Sequence, residues 1–474
     1  MKKISSLFCL LFFSFFLLQC QKGLDVIDTS YTLDETATAL PIVTNLQGNI
    51  VDENGQPAAG VAIAAGTQTT TTNASGYFRI NNAQLDRKAA LVTAEKSGYF
   101  KGIRLFSATA GTNQVVIQLI KKHLASTVSA TSGGNATLAN GTVIGLPANG
   151  VVQASTGAAY TGAVNVYAAY IDPSAANIGM IVPGSLSATD NEGKRLVLTS
   201  YGMLAVQLES PTGEKLQIKT GAVATLTTPI PAAGLSTAPA TIPLWYVDEQ
   251  TGFWKEEGTA TKQGNKYVGE VKHFSFWNCD VSANAVTISL RVVNSKGMSL
   301  VHVPVRITRK NSAAGFNFTM GYTDSLGVVS GYVPSGENLR IEILDPCGNP
   351  VYTQNIPALT QSTDIGAVTM PASALSVINY TGKLLDCNNA PVTNGFAIIS
   401  FNNMVRYAKT DGNGNFETSF IVCPGSATTS QLIGVDQQNQ QQSATSDVAI
   451  SIPITAAPNL VTCGLRQYNL LTTL

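Results

Sequence analysis

Gly48-Asn-Ile-Val-Asp52-Glu-Asn-Gly55-Gln-Pro57, followed by Val61-Ala-Ile63 and then Thr72-Asn73-Ala-Ser-Gly76-Tyr77-Phe78, decides how the rest of the chain is read. Apolar and polar residues alternate through it, and each alternating run is stopped by Asp or Asn with a Gly shortly after. Such alternation sends successive side chains to opposite faces of a strand, and the Gly supplies the positive φ of a tight turn. The stretch predicts strand, turn, strand, loop, strand.

The same grammar recurs further along. Gly382-Lys-Leu-Leu-Asp386-Cys-Asn-Asn-Ala-Pro391, then Gly395-Phe-Ala-Ile398, then Thr410-Asp411-Gly-Asn-Gly414-Asn-Phe416 form a second copy. A blurred copy runs Arg291-Val-Val-Asn294-Ser-Lys-Gly297, Val303-Pro-Val305-Arg-Ile307 and Thr323-Asp324-Ser-Leu-Gly327. A unit of this size buries its apolar face by stacking a second sheet on the first. The expected fold class is all-β, as tandem antiparallel β-sandwich modules of Ig-like or transthyretin-like type.

A chain of 474 residues exceeds one ordinary core, so roughly three or four domains are expected. Charged residues make up only 12%, against about 25% in an average globular protein. That mix suits short strands and polar turns better than charge-laced helices. Lys plus Arg and Asp plus Glu both number 29. With no net field to gather phosphates, no nucleic-acid partner is expected.

At the N-terminus Lys2 and Lys3 precede an apolar run from Leu7 to Leu18, and Cys20 follows. This is the layout of a secretory signal, with a run shorter than the roughly 20 apolar residues of a membrane span. Leu17-Leu18-Gln19-Cys20 resembles the lipobox of bacterial, Bacteroidetes-type lipoproteins. The resemblance implies cleavage of 1–19, a lipid on Cys20 and attachment to the outer membrane or cell surface. An ordinary secretory signal and an uncleaved anchor are the alternatives. Residues 20–44 lack periodicity and are read as a tether.

The first copy resembles the carboxypeptidase regulatory-like, transthyretin-like domain over 45–122, and the last copy is similar to it over 374–474. The resemblance implies the sandwich fold, not a peptidase activity. Residues 284–373 are expected to form a further sandwich. The segment 123–283 differs. Its Leu244-Trp245-Tyr-Val-Asp248, Gly252-Phe-Trp254-Lys-Glu-Glu-Gly258 and His273-Phe274-Ser275-Phe-Trp277-Asn278 resemble the extracellular β module of cartilage-intermediate-layer-type proteins, with a more distant similarity to modules of netrin receptors and ankyrins.

Two sets of residues there are candidates for function. Trp245, Trp254 and Trp277 form either a packed aromatic core or stacking platforms for a sugar ring. Some relatives of the module that 123–283 resembles cut their own backbone at an H-F-S triplet, and others that carry it do not. Here His273 would take the Ser275 hydroxyl proton while Oγ attacks the Phe274 carbonyl. The alternative is a strand carrying a satisfied, half-buried histidine.

No catalytic triad elbow, phosphate loop, zinc spacing or cofactor motif is present in the sequence, so no cofactor, metal or turnover enzyme is expected. Asp411-Gly412-Asn413-Gly414-Asn415 spaces oxygen donors as a calcium loop begins, but Glu417 comes too soon to close it, and a hairpin turn accounts for the run. The downstream cysteines Cys279, Cys347, Cys387, Cys423 and Cys463 leave one odd thiol, with the pairing open.

The expected protein is a non-enzymatic, lipid-anchored series of β modules that binds a glycan or protein or acts as a spacer. The rivals are a periplasmic accessory subunit, a self-cleaving module, and a hydrolase with converging carboxylates in a cleft.

Overall fold

The structure is a computed structural model and describes residues 39–190, 192–310, 317–371, 377–401, 404–422, 429–452 and 454–465. The signal segment 1–19, Cys20 and most of the tether lie outside these residues, as does Cys423. The first strand, Pro41–Val51, begins inside the stretch expected to be tether.

In the first copy Pro41–Val51 pairs antiparallel with Tyr77–Asp86 and parallel with Asn113–Gln118. A second sheet orders Gln68–Thr71, Ala62–Ala65, Ala90–Glu95 and Gly102–Phe106. Between the two sheets lie Leu46, Ile50, Val61, Ile63, Phe78, Val92, Val115 and Ile117, all buried. The third module repeats this order. Phe276–Val293 pairs with Val328–Pro334 antiparallel and with Thr363–Thr369 parallel, facing a sheet of Phe318–Tyr322, Pro304–Arg309, Leu339–Leu344 and Pro350–Ile356. The fourth does so again around Val377–Asp386, which pairs antiparallel with Asn415–Ile421 and parallel with Ile454–Ala456 and Leu460–Thr462.

The sandwiches are therefore antiparallel except where the last strand meets the first. Seven strands that reverse at every step leave the seventh running with the first, so their pairing has to be parallel.

One side-chain device makes the turns in all three copies. The Oδ1 of Asp52 accepts from the amides of Asn54 and Gln56 at 2.9 Å each. Asn294 does the same with Lys296 and Met298, and Asp386 with Asn388 and Ala390. At the second turn Asn73, Asp324 and Asp411 each accept from the amides two and four residues on. The residue three after the acceptor is left-handed in every case: Gly55, Gly76, Gly297, Gly327 and Gly414, with Asn389 taking the place of Gly at φ 62°. Asn, the residue other than Gly that tolerates this region best, fits there.

A cross-strand pair explains another motif residue. Gly48 lies opposite Phe78, and Gly382 opposite Phe416. A Cβ on Gly382 would fall 2.2 Å from Phe416 Cζ, so the ring occupies the space a side chain would need. In the third copy the same positions hold Leu290 and Val329, so the larger residue sits on the first strand instead.

The middle module is one large sheet built on two long strands, Arg195–Glu209 and Phe276–Val293. Leu204, Leu244 and Trp277 face its interior, with Val164, Val206 and Tyr267. The alternate residues Met203, Ala205, Trp245 and Phe276 face outward and are covered by Phe100 and Ile103 of the first module. Both faces are buried. The second half of Phe276–Val293 then continues as the central strand of the third module.

The modules, expected in series, are docked on one another. The first module touches the other three. Arg104 donates to Met180 O at 2.9 Å and Ser185 Oγ at 3.2 Å in the middle module. Gly111 N donates to Asp324 Oδ2 at 2.9 Å in the third. Tyr77 packs with Ile398, Val405, Ile433 and Val435 of the fourth.

If the Gly382–Phe416 pair is packed as described, Gly382→Ala lowers stability by about 1–3 kcal/mol through overpacking. Phe416→Val added to it recovers part of that loss, which a double-mutant cycle in urea would measure; additive losses would refute the pairing.

Candidate functional site

The H-F-S triplet lies where the chain turns from Lys266–Val271 into Phe276–Val293. Gln217, on the strand Lys215–Ile218, holds the Phe274 residue at both ends: Phe274 N donates to Gln217 Oε1 at 2.7 Å, and Gln217 Nε2 donates to Phe274 O at 3.0 Å. A primary amide offers one donor and one acceptor direction, so this side chain does what a neighbouring strand's backbone would do.

His273 sits edge-on to Tyr246 with ring centroids 4.5 Å apart, and 5.1 Å from the Trp277 ring. Its Nε2 is 3.9 Å from Glu257 Oε2. Burial holds the imidazole below its ordinary range, with the nearby Glu257 carboxylate opposing the effect. It is therefore neutral at pH 7, as a general base must be. Yet it makes no hydrogen bond to Ser275. The Ser275 hydroxyl donates to Phe276 O at 3.1 Å, and Ser275 O accepts from Val206 N at 3.1 Å. Neither Phe274 nor Ser275 has left-handed backbone. The sequence brings the three side chains into one place, and the structure gives each of them a partner of its own. His273 is half-buried, as the structural alternative expects, but the triplet lies just before the strand rather than on it.

The three tryptophans are fully enclosed, Trp245 and Trp254 at 0% exposure and Trp277 at 1%. Each indole N–H is spent on a backbone carbonyl: Trp245 on Asp280 at 3.2 Å, Trp254 on Pro183 at 2.9 Å, Trp277 on His273 at 3.0 Å. The sugar-stacking alternative is corrected here, because no ring face is open and no donor is left over. Trp245 and Trp254 help join the middle module to the first, while Trp277 fills the interior of the sheet.

Asp411 has its Oδ1 engaged by the amides of Asn413 and Asn415, and those bonds hold its carboxyl below the ordinary range. The run is a hairpin turn. Among the described residues no group of three His, Cys, Asp or Glu is placed to hold a metal ion. No helix among them is long and apolar enough to cross a membrane. A cavity between the first, middle and third modules is lined by Leu105, Ile288, Leu290, Val305 and Val333, among others, without a carboxylate. It offers none of the converging acids a hydrolase would need.

A buried polar chain went unnoticed in the sequence. Ser200 Oγ donates to Asn278 Oδ1 at 2.6 Å, and Asn278 Nδ2 donates to Asp280 Oδ2 at 2.6 Å. Asp280 is wholly enclosed, and Oδ1 has no partner. Burial raises its carboxyl well above the ordinary range, so it stays protonated. Beside it Cys279 is a free, buried thiol whose ionisation is likewise suppressed by burial. Nothing in the sequence marked this cluster, since an Asp on an alternating strand is ordinarily solvent-facing.

Comparison with known proteins finds limited similarity. No protein-family model matches the chain. A stretch of 109 residues is 31% identical to cartilage intermediate layer protein 2 of Mus musculus, covering 23% of this chain and 9% of that protein. The chain thus spans about a tenth of the length of this relative. Among solved structures, the shaft pilin SpaA of Lactobacillus rhamnosus GG is 10% identical, over 38% of this chain and 98% of its own, at a TM-score of 0.20. A streptococcal ancillary pilin is 10% identical, over 48% and 95%, at 0.16. At such scores neither superposition bears on function, and the all-β architecture rests on the sheets described above.

Two outcomes follow from this geometry. Purified protein runs as a single full-length band on a denaturing gel, and its tryptophan emission is unmoved by soluble glycans and poorly quenched by acrylamide. A pair of fragments split between Phe274 and Ser275 would reverse the first, and a saturable emission shift the second. Asp280→Asn removes the buried acid. Because the raised carboxyl stabilises the native state below the unfolded pKa and that gain is lost as pH rises, the variant gains on the parent protein above pH ~4, by at most about 1.4 kcal/mol per pH unit. Chemical denaturation across pH measures that difference, and a flat difference would refute a protonated Asp280.

Proposed function

We propose that this chain is an exported, lipid-anchored envelope protein whose mutually docked β modules form a non-enzymatic scaffold for binding or adhesion. The observation that carries the exported part is the disulfide Cys387–Cys463, with Cα atoms 5.1 Å apart. It ties the end of the fourth module's first strand to the end of its closing strand. Cys347 is also disulfide-bonded. Disulfides persist in oxidising compartments and are rare where glutathione keeps thiols reduced. This agrees with the charged, apolar and cysteine order of residues 2–20 without depending on it. Similarity to a protein named for the cartilage intermediate layer points the same way.

The scaffold part rests on the interfaces. Loops at the ends of sandwiches vary without disturbing cores, and docking holds loops from different modules in fixed relation. With no net charge, the surface suits glycan or protein ligands better than polyanions.

Peptide mapping of protein isolated from its host tests the compartment. Cys387 and Cys463 should alkylate only after reduction, and Cys279 after denaturation alone. Free Cys387 and Cys463 would sink the exported reading. Metabolic palmitate labelling that disappears in Cys20→Ser tests the anchor. Protease shaving of intact cells separates surface display from a periplasmic location, and a glycan and secretome pull-down with the soluble block that yields nothing specific would count against binding.

A further inference from the structure

Three modules meet around His302. The residue lies in the loop leading to Pro304–Arg309, with left-handed backbone at φ 54° and its N–H donating to Thr323 O at 2.9 Å. Both ring nitrogens are shut off from water and neither makes a hydrogen bond. The Thr112 backbone of the first module faces the ring. Arg79, from Tyr77–Asp86 in the same module, and Arg406, from Met404–Lys409 in the fourth, bring two guanidinium charges to bear on it.

The other charged and titratable groups at this junction are Tyr77, Tyr407 and Asp324, and Arg406 donates to Val405 O at 3.1 Å. Arg79 is fixed by Gln47 Oε1 at 2.7 Å and Asn81 Oδ1 at 2.9 Å, and lies 4.8 Å over the Tyr407 ring. Tyr77 donates its hydroxyl proton to Gln47 Oε1 at 3.2 Å. On the adjoining turn, Asp324 spends Oδ1 on the amides of Leu326 and Val328, both at 2.8 Å, and Oδ2 on Gly111 N at 2.9 Å. Its carboxylate is already committed to the turn and to the first module rather than to the imidazole.

We propose that His302 is an acid-sensitive pin: its protonation releases the first module from the third and fourth. In the closed arrangement a second proton on this ring is disfavoured, with only the Thr112 backbone favouring it. Burial holds the imidazole well below its ordinary range, and the Arg406 and Arg79 charges push the same way. Once the first module swings away, the ring meets water and titrates near its ordinary pKa of about 6.5. The open state then binds a proton that the closed state does not. Closure is therefore unaffected above pH ~6.5 and weakens by up to about tenfold for each pH unit below it. The contacts given up are those of Tyr77 with Ile398, Val405, Ile433 and Val435, and the hydrogen bonds joining 111–112 to 324–325.

Hydrogen exchange on the full chain reads this directly. The amides of Gly111, Thr112 and Ser325 cross the interface, to Asp324 Oδ2, Ser325 Oγ and Thr112 O. Corrected for intrinsic rates, their protection should fall about tenfold per pH unit below ~6.5, while the Val206 amide inside the middle module keeps its protection. In His302→Asn, which tolerates the left-handed backbone, and in His302→Gln, the acid step should vanish. Parent and variant profiles running in parallel would overturn the proposal. Should both variants fail to fold, an NMR titration of the parent protein decides it. A His302 ring that titrates near 6.5 with the interface amides still protected would also overturn it, whereas one that protonates only as those amides lose protection supports it.

Discussion

Burial of both faces of Arg195–Glu209 and Phe276–Val293 is the constraint on which the rest depends. A half-buried sheet needs one apolar face, and alternation supplies it. Arg195–Glu209 is buried along nearly its whole length and Phe276–Val293 on either side of a break at 281–284, so their alternate residues enter two separate cores. The inner core belongs to the middle module, while the outer one is built from the middle module's own 171–198 segment and completed by Phe100 and Ile103 of the first. The second strand then supplies the centre of the third sandwich. Unfolding any one module therefore exposes a face of another, and the modules are coupled through sheet faces rather than through linkers.

Seen this way, the groups that resembled chemistry have structural employment. An indole on the outer face must satisfy its N–H once the first module shuts out water, and carbonyls of Asp280 and Pro183 provide for it. The Phe274 peptide at the start of a strand lacks a backbone neighbour, and the Gln217 side chain stands in for one. Asp280 is the exception. It is a carboxyl enclosed without a cation, and it survives in that place by staying neutral.

What the sequence made legible was local. Turns are set by side chains two to four residues from the amides they bind, so Asp52, Asn73, Asp324 and Asp411 with their glycines could be read directly. Strand periodicity is local too. The Leu290–Val329 pair was harder, because the third copy looks blurred only until its exchange of sizes with Gly382–Phe416 is seen across the ladder. The parallel closing strand, Gln217, and the meeting of Arg79, His302 and Arg406 depend on residues far apart in the chain. Alternation says which residues are buried but not which module buries them.

The low charge content shows how a correct observation can have a second cause. Read from composition, 12% charged residues argued for short strands and polar turns, and the fold is built that way. But sparse charge also fits a chain whose sheet faces are covered by other modules, since each covered face is surface on which a charge would have to be desolvated. Some charges that enter an interface are paired, as Lys122 is with Glu209 at 2.9 Å, and others are held by neutral groups. Arg104 is fixed by carbonyls and a hydroxyl, and Arg79 by amides and a tyrosine ring. Neutral partners of this kind satisfy hydrogen bonds without cancelling charge, which leaves the block intolerant of any further proton near them.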